Sequence, residues 1–349
     1  PKARIIVCGC AAERTPELFL KKQNVRLVTG ARQKSKILAL LDEEGVRLDE
    51  EDRRYDEMLP PVSLKTRAFV KIQDGCNNFC SYCIIPYLRG RGRSRTVESA
   101  AEEILGAPAE EVVITGIDIS SFRDGEKDLA DLLLAVKDAP CRIRLGSLEV
   151  NVVTPRLLDA AKSVRDFAPH FHLSLQSGSD GVLKKMNRHY TAEEYLQKVQ
   201  LIRSYFPDAA ITTDVITGFP TETEEQFAET CAFVRKVGFS QIHCFSYSRR
   251  TGTNAAKLAE LPAETKKRRL HEMLAVAGQL RKEYETKFLG KVLELVPEEK
   301  KGEYTTGYSQ NYIRLYVRGE VLKKARVVAV EVMEDGLLAV QEAKGETNG

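Results

Sequence analysis

From residue 67 onward, short apolar runs alternate with longer segments in which apolar residues recur every three or four positions. The apolar runs are AFVKI, EVVITG, RIRLGS, FHLSLQS, AITTDVITG and QIHCFSYS. The amphipathic segments between them include TVESAAEEIL, DLADLLLAVK, PRLLDAAKSV, AEEYLQKVQLIRSYF and EEQFAETCAFVRKV. Strands that alternate with helices at this spacing form parallel sheets. The pattern therefore predicts an α/β fold in which six strand–helix units form a parallel barrel or an open barrel.

The N-terminal pattern predicts part of a second, smaller α/β unit. ARIIVCGC and VRLVTG are typical of strands, whereas PELFLKK and QKSKILALLDE are typical of helices. Nine acidic and three basic residues follow between Asp42 and Glu57, and this segment closes at Pro60 and Pro61. Such charge without periodicity predicts a solvated linker. Because a strand-like segment begins directly after Pro1, we expect the natural protein to begin earlier.

The C-terminal pattern changes from helical to alternating. A basic helix is predicted from about Ala263 to Phe288, and five short segments with a period of two follow, VLELV, EYTTGY, YIRLYV, ARVVAVEVM and LLAVQE. Five short strands separated by glycine turns predict a small β-barrel. We therefore divide the chain into residues 1–64 (part of an N-terminal α/β domain plus a linker), 65–287 (the barrel) and 288–349 (the β-barrel).

Composition adds two constraints. No run of eighteen apolar residues and no secretory leader is visible, so we expect no membrane span. Eight cysteines without a small secreted framework predict a reducing compartment, and hence the cytoplasm. The net charge is only +3, but residues 65–95 hold seven Lys or Arg against one Asp, a local charge of +6. This segment is either a solvated basic face or a surface that attracts RNA.

Within that basic segment, GCNNFCSYC places Cys76, Cys80 and Cys83 on one short loop. A 4Fe–4S cluster usually takes four cysteines, so three would leave one iron open to another ligand. A zinc site would need a fourth ligand, and none of the five histidines lies in this stretch. The odd number and tight spacing disfavour a disulfide. The spacing therefore favours an iron–sulfur cluster with one open iron.

Polar residues and glycines follow the predicted barrel strands, where barrels of this type place their chemistry. They are Gly116, Ser147, Glu149, Gln176, Ser177, Asp214, Gly218, Ser246 and Ser248.

The cysteine motif in GCNNFCSYCIIPYLRGRGRSR, together with QSGSD, GFPTETEE and YSRRTGT, resembles the radical S-adenosylmethionine (SAM) methylthiotransferase family over essentially all 349 residues. The resemblance implies a partial (β/α)6 barrel followed by a TRAM-like β-barrel. It also implies that Cys76, Cys80 and Cys83 hold a 4Fe–4S cluster whose open iron chelates SAM. Such chemistry needs an electron donor such as flavodoxin or ferredoxin.

The resemblance also suggests which residues contact SAM. Arg188 is a candidate partner of the methionyl carboxylate, although a surface salt bridge is the alternative. The full set of candidate SAM contacts is Tyr82, Gly116, Ser147, Glu149, Gln176, Ser177, Arg188, Asp214 and Gly218. The five histidines are scattered, so we expect them to be structural or surface residues.

A second cluster is implied by GCAAER, which resembles the Gly-Cys-x-Ala motif of the family's N-terminal domain. The cysteine of that motif is one of three that hold a second 4Fe–4S cluster in the complete protein. This assigns Cys10 to the second cluster and leaves Cys8 as a buried, unreactive residue. The other two cysteines are expected before Pro1.

RIRLGSLEV and YSRRTGTNAA resemble the MtaB-type branch, which acts on threonylcarbamoyl-adenosine in tRNA. The branch commonly carries Arg-Ile-Arg-Leu-Ser-Ser-Ile-Glu-Pro, from which Gly146 and Val150 depart. The implied partner is a tRNA anticodon stem-loop, and Arg249 and Arg250 are candidate contacts to a phosphate or to the substrate carboxylate. The alternatives are a sister branch that modifies isopentenyl-adenosine or a ribosomal protein aspartate, and an RNA-binding iron–sulfur sensor without turnover.

Overall fold

The computed structural model describes residues 3–32, 34–48, 54–58 and 66–342. Its N-terminal part is a parallel three-stranded sheet with two short helices, in chain order β1 (Ile5–Val7), α1 (Cys10–Arg14), α2 (Pro16–Leu20), β2 (Val25–Thr29) and β3 (Gly45–Arg47). A 3-10 helix, Lys34–Leu40, takes the place of the predicted second helix.

The linker prediction was wrong for its first part, because β3 lies within that segment and pairs with β2. Charged residues flank this strand, and its three residues are too few to show a periodicity. Further along, the Tyr55 hydroxyl donates a hydrogen bond of 2.8 Å to the Lys71 carbonyl of the next sheet. The remaining linker residues, 49–53 and 59–64 with Pro60 and Pro61, lie outside the described residues.

The central part of the chain is a curled sheet of mainly parallel strands with helices on its outer face, and only the edge strand β5 is antiparallel to its described neighbour. Its elements are β4 (Arg67–Asp74), α3 (Ile85–Arg89), β5 (Arg93–Ser94), α4 (Val97–Leu105), β6 (Glu111–Gly116), α5 (Leu129–Ala135), β7 (Arg142–Leu145), β8 (Ser147–Leu148), α6 (Pro155–Ser163), β9 (His170–Leu173), α7 (Asp180–Lys185), α8 (Ala192–Tyr205), β10 (Ala210–Thr217), α9 (Glu224–Val237) and β11 (Gln241–Ser246). The strand orders are β5-β4-β6-β7 and β11-β10-β9-β8, and the chain passes between these two sheets at Gly146. The α/β fold class with a partial barrel is confirmed.

Polar residues begin the helices of this barrel at the positions where the sequence predicts helices. The side chains of Thr96, Asp128, Thr154, Thr191 and Thr223 each accept a hydrogen bond from a backbone N–H of the first turn. In α5, α8 and α9, the backbone N–H of the capping residue also donates a hydrogen bond to the side chain of the third helical residue. These caps fix where each helix starts, and they therefore fix the length of the loop that leaves the preceding strand.

The C-terminal part is a closed β-barrel, also as predicted. Helix α10 (Ala263–Thr286) leads into β12 (Val292–Lys301), β13 (Tyr304–Tyr308), β14 (Arg314–Arg318), β15 (Ala325–Met333) and β16 (Gly336–Gln341). Its strand order is β12-β13-β14-β16-β15. The domain boundaries at residues 64/65 and 287/288 stay predictions. Among the described helices, none combines the length and apolar character that a bilayer-spanning segment needs.

The turn between β13 and β14 closes one end of the partial barrel. Tyr308 and Tyr312 stack with their ring centroids 4.3 Å apart. The guanidinium of Arg144, on β7, lies 4.1 Å from the Tyr312 ring, and His170, at the start of β9, lies 4.8 Å from it. Arg67, the first residue of β4, lies 5.5 Å from both tyrosine rings. The N-terminal ends of the barrel strands are therefore covered by the C-terminal β-barrel.

Helix α10 connects the two barrels and carries a buried carboxyl group. Glu285 is 4% exposed, one of its oxygens has no hydrogen-bond partner in the described chain, and the nearest Arg281 nitrogen is 3.8 Å away. Burial raises the pKa of Glu285 to about 7, although Arg281 opposes the rise. Ionising this group in the folded protein therefore costs free energy.

We expect Glu285→Gln to stabilise the protein at pH 8. The folded-state pKa lies above the unfolded value, so wild-type stability falls as the pH rises from about 4.5 to 7. The amide removes that cost, so the free energy of unfolding at pH 8 should increase by about 1–3 kcal/mol. Denaturant unfolding at pH 5 and pH 8 measures the difference, with Glu283→Gln on the exposed side of the helix as control. A gain that is equal at both pH values would contradict the prediction.

Candidate active site

The cysteine loop leaves β4 through a turn that only glycine can form. Gly75 has φ +73°, and a Cβ added there would lie 2.0 Å from the Arg91 carbonyl oxygen. That overlap is backbone on backbone, so no side-chain movement relieves it. The Cys76 N–H donates to the Gly90 carbonyl at 3.2 Å, which ties the two ends of the loop together.

Asp74 holds the base of this loop through charge. Its buried carboxylate accepts hydrogen bonds from Arg93 at 2.8 Å and from Arg89 at 2.9 Å, and Lys71 lies 3.0 Å away. The Gly75 N–H also donates to it at 2.9 Å. Burial raises the pKa of Asp74, but the surrounding cations lower it by more, so the net pKa is below its usual value. The carboxylate therefore stays ionised and fixes the residues after the cysteines.

The far side of the loop rests on the segment that follows α7. The Ser81 N–H donates to the Met186 carbonyl at 2.9 Å. The Asn187 side-chain amide donates to the carbonyls of Asn78 and Phe79, both at 3.1 Å. Since Arg188 comes next in the chain, these bonds also fix the position of its guanidinium relative to the cysteines.

Cys76, Cys80 and Cys83 all line one cavity of about 150 Å³, which we call the inner cavity. All eight cysteines of the chain lie in the described part, and none forms a disulfide. Burial raises the pKa of the Cys76 thiol to about 12 and also raises the pKa of Cys83. Cys76 and Cys83 are therefore thiols in the metal-free protein, and metal binding must release their protons.

Five of the predicted SAM contacts line the inner cavity together with the cysteines. They are Tyr82, Ser147, Glu149, Gln176 and Arg188. They come from the cysteine loop, from β8 and the residue after it, from the end of the β9 segment and from the turn after α7. The structure thus brings together residues that are up to 106 positions apart (82 to 188) in the sequence.

The other four predicted SAM contacts do not line this cavity. A Cβ on Gly116 would lie 2.8 Å from the Gln73 carbonyl oxygen, so this glycine allows β4 and β6 to approach. The Ser177 hydroxyl is buried and lies 3.1 Å from the Thr230 hydroxyl. A Cβ on Gly218 would meet the Lys266 side chain at 2.7 Å. The fourth, Asp214, lies beside two histidines. The role of these four residues in SAM binding stays a prediction.

Arg188 and Glu149 form a bidentate ion pair in the cavity wall. The two guanidinium nitrogens lie 3.0 Å and 2.5 Å from the carboxylate oxygens. Arg188 also donates to the Ser174 carbonyl at 2.9 Å and approaches the Cys80 sulfur at 3.3 Å. Burial raises the pKa of Glu149 and Arg188 partly offsets this effect, so the net pKa is above its usual value. The pair places one positive and one negative group beside the cysteines.

Asp118 is a site residue that the sequence analysis missed. It lines the inner cavity, and its carboxylate accepts a 3.1 Å hydrogen bond from the Asn78 amide. The Cys76 sulfur lies 4.0 Å from the same oxygen. Burial raises the pKa of Asp118. Its position two residues after Gly116, at the C-terminal end of β6, was the available signal.

A second cavity of about 250 Å³, the outer cavity, adjoins the inner one. The two share Asn78, Cys80, Asp118, Glu149 and Arg188 in their walls. The outer cavity alone is lined by Arg123, Asn151, Asn187, His189 and others, which are mostly polar. A ligand in the inner cavity therefore has a polar chamber directly beside it.

Most of the positive charge around the cysteine loop is neutralised within the protein. Arg67 pairs with Glu111 and Glu298, Arg95 pairs with Glu57 and Glu103, and Lys71, Arg89 and Arg93 pair with Asp74. Arg91 is exposed, and its guanidinium lies 4.7 Å from the Phe79 ring. Lys65 lies outside the described residues. The local charge of +6 is therefore mainly structural, and by itself it does not indicate an RNA-binding surface.

Cys10 contacts Arg89 on the helix that follows the cysteine loop, whereas Cys8 is exposed rather than buried as expected. Burial lowers the pKa of Arg89, but Asp74 and a hydrogen bond with Cys10 raise it by more. Arg89 ends α3, the helix directly after the Cys83 turn. The first residue of α1 is thus next to the segment that carries the three cysteines.

The two arginines proposed as substrate contacts differ in their surroundings. Arg249 donates a 2.6 Å hydrogen bond to Glu260, so its charge is compensated. Arg250 is exposed and forms no ion pair with the described residues. Of these two arginines, only Arg250 has a guanidinium that a ligand can reach without breaking an ion pair.

Comparisons with known proteins agree with this geometry. A family model described as the Radical SAM superfamily matches residues 70–234. The chain is 35% identical to the threonylcarbamoyladenosine tRNA methylthiotransferase MtaB of Bacillus subtilis (strain 168), over 96% of this chain and 80% of the relative. It is 38% identical to the protein of the same name from Chlamydia pneumoniae, over 88% of this chain and 73% of that protein.

A relative named for a different substrate is nearly as similar. The tRNA-2-methylthio-N(6)-dimethylallyladenosine synthase of Desulfitobacterium hafniense (strain Y51) is 33% identical, over 96% of this chain and 79% of the relative. The radical SAM superfamily uses a 4Fe–4S cluster and SAM. Identity at this level over most of both chains is evidence of common descent, and the chain belongs to the radical SAM tRNA methylthiotransferase family.

Proposed function

We propose that this enzyme adds a methylthio group to threonylcarbamoyl-adenosine beside the anticodon of tRNA. The observation that carries the proposal is the 35% identity, over 96% of the chain, to a relative whose name states that substrate. RIRLGSLEV and YSRRTGT support it. The relative named for dimethylallyladenosine makes the isopentenyl-type nucleoside the second candidate. A sensor without turnover is not supported, because the family consists of enzymes.

We infer that Cys76, Cys80 and Cys83 hold the family's 4Fe–4S cluster. The donor set fits this cofactor, because three free thiols share the inner cavity and no other cysteine and no histidine is among its described lining residues. A cluster bound there would supply the electron for reductive cleavage of SAM, and so the radical chemistry that removes hydrogen from the substrate adenine. The residues around the cysteines must then orient SAM and keep water out.

The Arg188–Glu149 pair can orient SAM by exchanging partners. The methionyl end of SAM carries a carboxylate and an amino group on the same carbon. Arg188 would bind the carboxylate, and Glu149 would accept a hydrogen bond from the amino group, whose lone pair is needed by the open iron. The buried Arg188 charge keeps an anionic partner during this exchange, which avoids the cost of an unpaired ion. The outer cavity beside the pair is where we place the substrate base.

Nucleoside mass spectrometry of tRNA tests the substrate. In cells that lack the gene, we expect the methylthio form of threonylcarbamoyl-adenosine to disappear and to return on complementation. The methylthio form of isopentenyl-adenosine serves as the internal control and should not change. Loss of the isopentenyl-type product alone would assign the enzyme to the sister branch.

Complementation with an Arg250 variant tests the substrate more specifically, because threonylcarbamoyl-adenosine carries a carboxylate that isopentenyl-adenosine lacks. Losing one hydrogen bond to a charged group costs about 1.5–3 kcal/mol. Complementation with Arg250→Ala should therefore lower methylthiolation by about ten- to a hundredfold in rate. Arg249→Ala should have a smaller effect, because Glu260 already occupies its guanidinium. Arg235→Ala on α9 is the control. An equal loss in all three variants would exclude carboxylate recognition by Arg250.

A further inference from the structure

Below the inner cavity, three polar side chains converge on the inward face of the barrel. His172, Asp214 and His243 belong to β9, β10 and β11, which are neighbouring parallel strands. One ligand atom from each lies within 4.8 Å of the other two. The sequence predicted the histidines to be structural or surface residues and Asp214 to contact SAM, and only the register of the sheet brings the three together.

This group of three, which we call the His–Asp–His cluster, is continuous with the inner cavity. In the strand register His172 lies directly opposite Ser147, which lines that cavity. Ser174 is two residues further along the same strand path, and it lines the cavity as well. His172 lies two residues, about 7 Å, before Ser174, whereas the strand register places Asp214 and His243 about level with Ser174. The cluster therefore begins at the level of the cavity lining.

The orientation of His172 is fixed, and one of its nitrogens lacks a partner. Its Nδ1 lies 3.0 Å from the Thr212 hydroxyl. Its Nε2 is buried and forms no hydrogen bond with the described chain, although it lies 3.5 Å from an Asp214 oxygen. A buried polar atom without a partner is costly, so such an atom points to a missing ligand. One ring nitrogen held by a hydroxyl and the other left open is the usual arrangement of a metal-binding histidine.

The donor set and its spacing match a divalent ion. Two neutral imidazoles and one carboxylate carry a net charge of −1 and suit first-row ions such as zinc or ferrous iron. For bonds of about 2.0–2.2 Å, each of the three ligand atoms must move by less than roughly 1 Å. Three protein ligands leave further coordination positions for an exogenous ligand, unlike a closed structural site.

We propose that His172, Asp214 and His243 form a binding site for one divalent transition-metal ion below the inner cavity. His243 is exposed and Asp214 is half-buried, so the ion can enter from solvent. Its open positions accept an oxygen atom of water or of a ligand in the barrel. This site is separate from the cysteine-bound cluster and does not depend on which nucleoside is the substrate.

Zinc binding tests the proposal. The holoenzyme with its iron–sulfur clusters intact and no histidine tag is dialysed against Zn²⁺, passed through a desalting column and analysed for metal. His243→Gln should bind one zinc per chain fewer than the wild type, while His271→Gln, the same change on the exposed face of α10, should match the wild type. Zinc bound to cysteine thiols is the same in all three proteins, so it does not affect the difference in zinc content between them. Equal zinc content in all three proteins would overturn the proposal.

Two further measurements separate metal binding from a structural role. In crystals soaked with Zn²⁺, an anomalous peak at the zinc edge should lie among the three side chains, and a peak only at thiols would refute the site. Thr212→Val should weaken zinc affinity by about ten- to a hundredfold, because it removes the hydroxyl that orients His172. If affinity is unchanged while the protein stays folded, the Thr212 hydroxyl does not serve a metal ligand, and the proposal fails.

Discussion

Cys80→Ala is expected to abolish reductive cleavage of SAM. Cys80 is one of the three cysteines that line the inner cavity, and the two that remain in the variant should not retain the cluster. Formation of 5′-deoxyadenosine from SAM and a chemical reductant should therefore fall to the background without enzyme. The chain should stay folded, because the loop is held by the Asp74 and Ser81 contacts and not by the thiols.

Cys231→Ala on α9 is the matched control, since it removes a thiol far from the loop. It should leave SAM cleavage and the absorption of the cluster near 400 nm unchanged. Thermal unfolding of both variants checks that the fold survives. If Cys80→Ala still formed 5′-deoxyadenosine at a rate close to wild type, the assignment of the cluster to these three cysteines would fail.

Cys10→Ala is expected to stop thiolation but to spare SAM cleavage. Its contact with Arg89 places Cys10 beside the cysteine loop, where a second cluster would be close to the site of hydrogen abstraction. In the protein produced from its natural gene, the variant should contain about half the wild-type iron, since one of two 4Fe–4S clusters would be lost. The methylthio product should disappear, while 5′-deoxyadenosine should still form.

Cys8→Ala is the comparison, because Cys8 is exposed two residues away and does not match the Gly-Cys-x-Ala motif. It should keep both the iron content and the product. Should Cys8→Ala lose the product while Cys10→Ala keeps it, the second cluster would involve Cys8 instead. Loss of SAM cleavage in Cys10→Ala would mean that this thiol supports the first site.

The barrel could be predicted from sequence because its signal is local. Most strands from β4 to β11 lie in apolar runs of a few residues, and most helices between them have a polar cap. Two short strands, β3 and β5, could not be predicted. They contain three and two residues, and each exists only through its pairing with β2 or β4.

The polar contacts within the site could not be predicted, because they depend on the three-dimensional arrangement. Arg188 and Glu149 were each proposed to contact SAM, but their ion pair spans 39 residues of sequence. Similarly, the sequence of the basic segment suggests a free positive surface, because the carboxylates that pair with its cations, such as Glu111, are distant in the sequence. The meeting of His172 with Asp214 depends on strand register, which a sequence pattern does not specify.

The stacked tyrosines between β13 and β14 have a consequence for the order of catalysis. Because Tyr308 and Tyr312 cover the N-terminal ends of the barrel strands, SAM and the tRNA nucleotide must both approach from the opposite end or from the side. The two cavities share five lining residues, so a nucleotide bound in the outer cavity would hinder the entry of SAM into the inner one. Steady-state kinetics should therefore show a compulsory order. SAM should bind before the tRNA, and 5′-deoxyadenosine and methionine should leave after it.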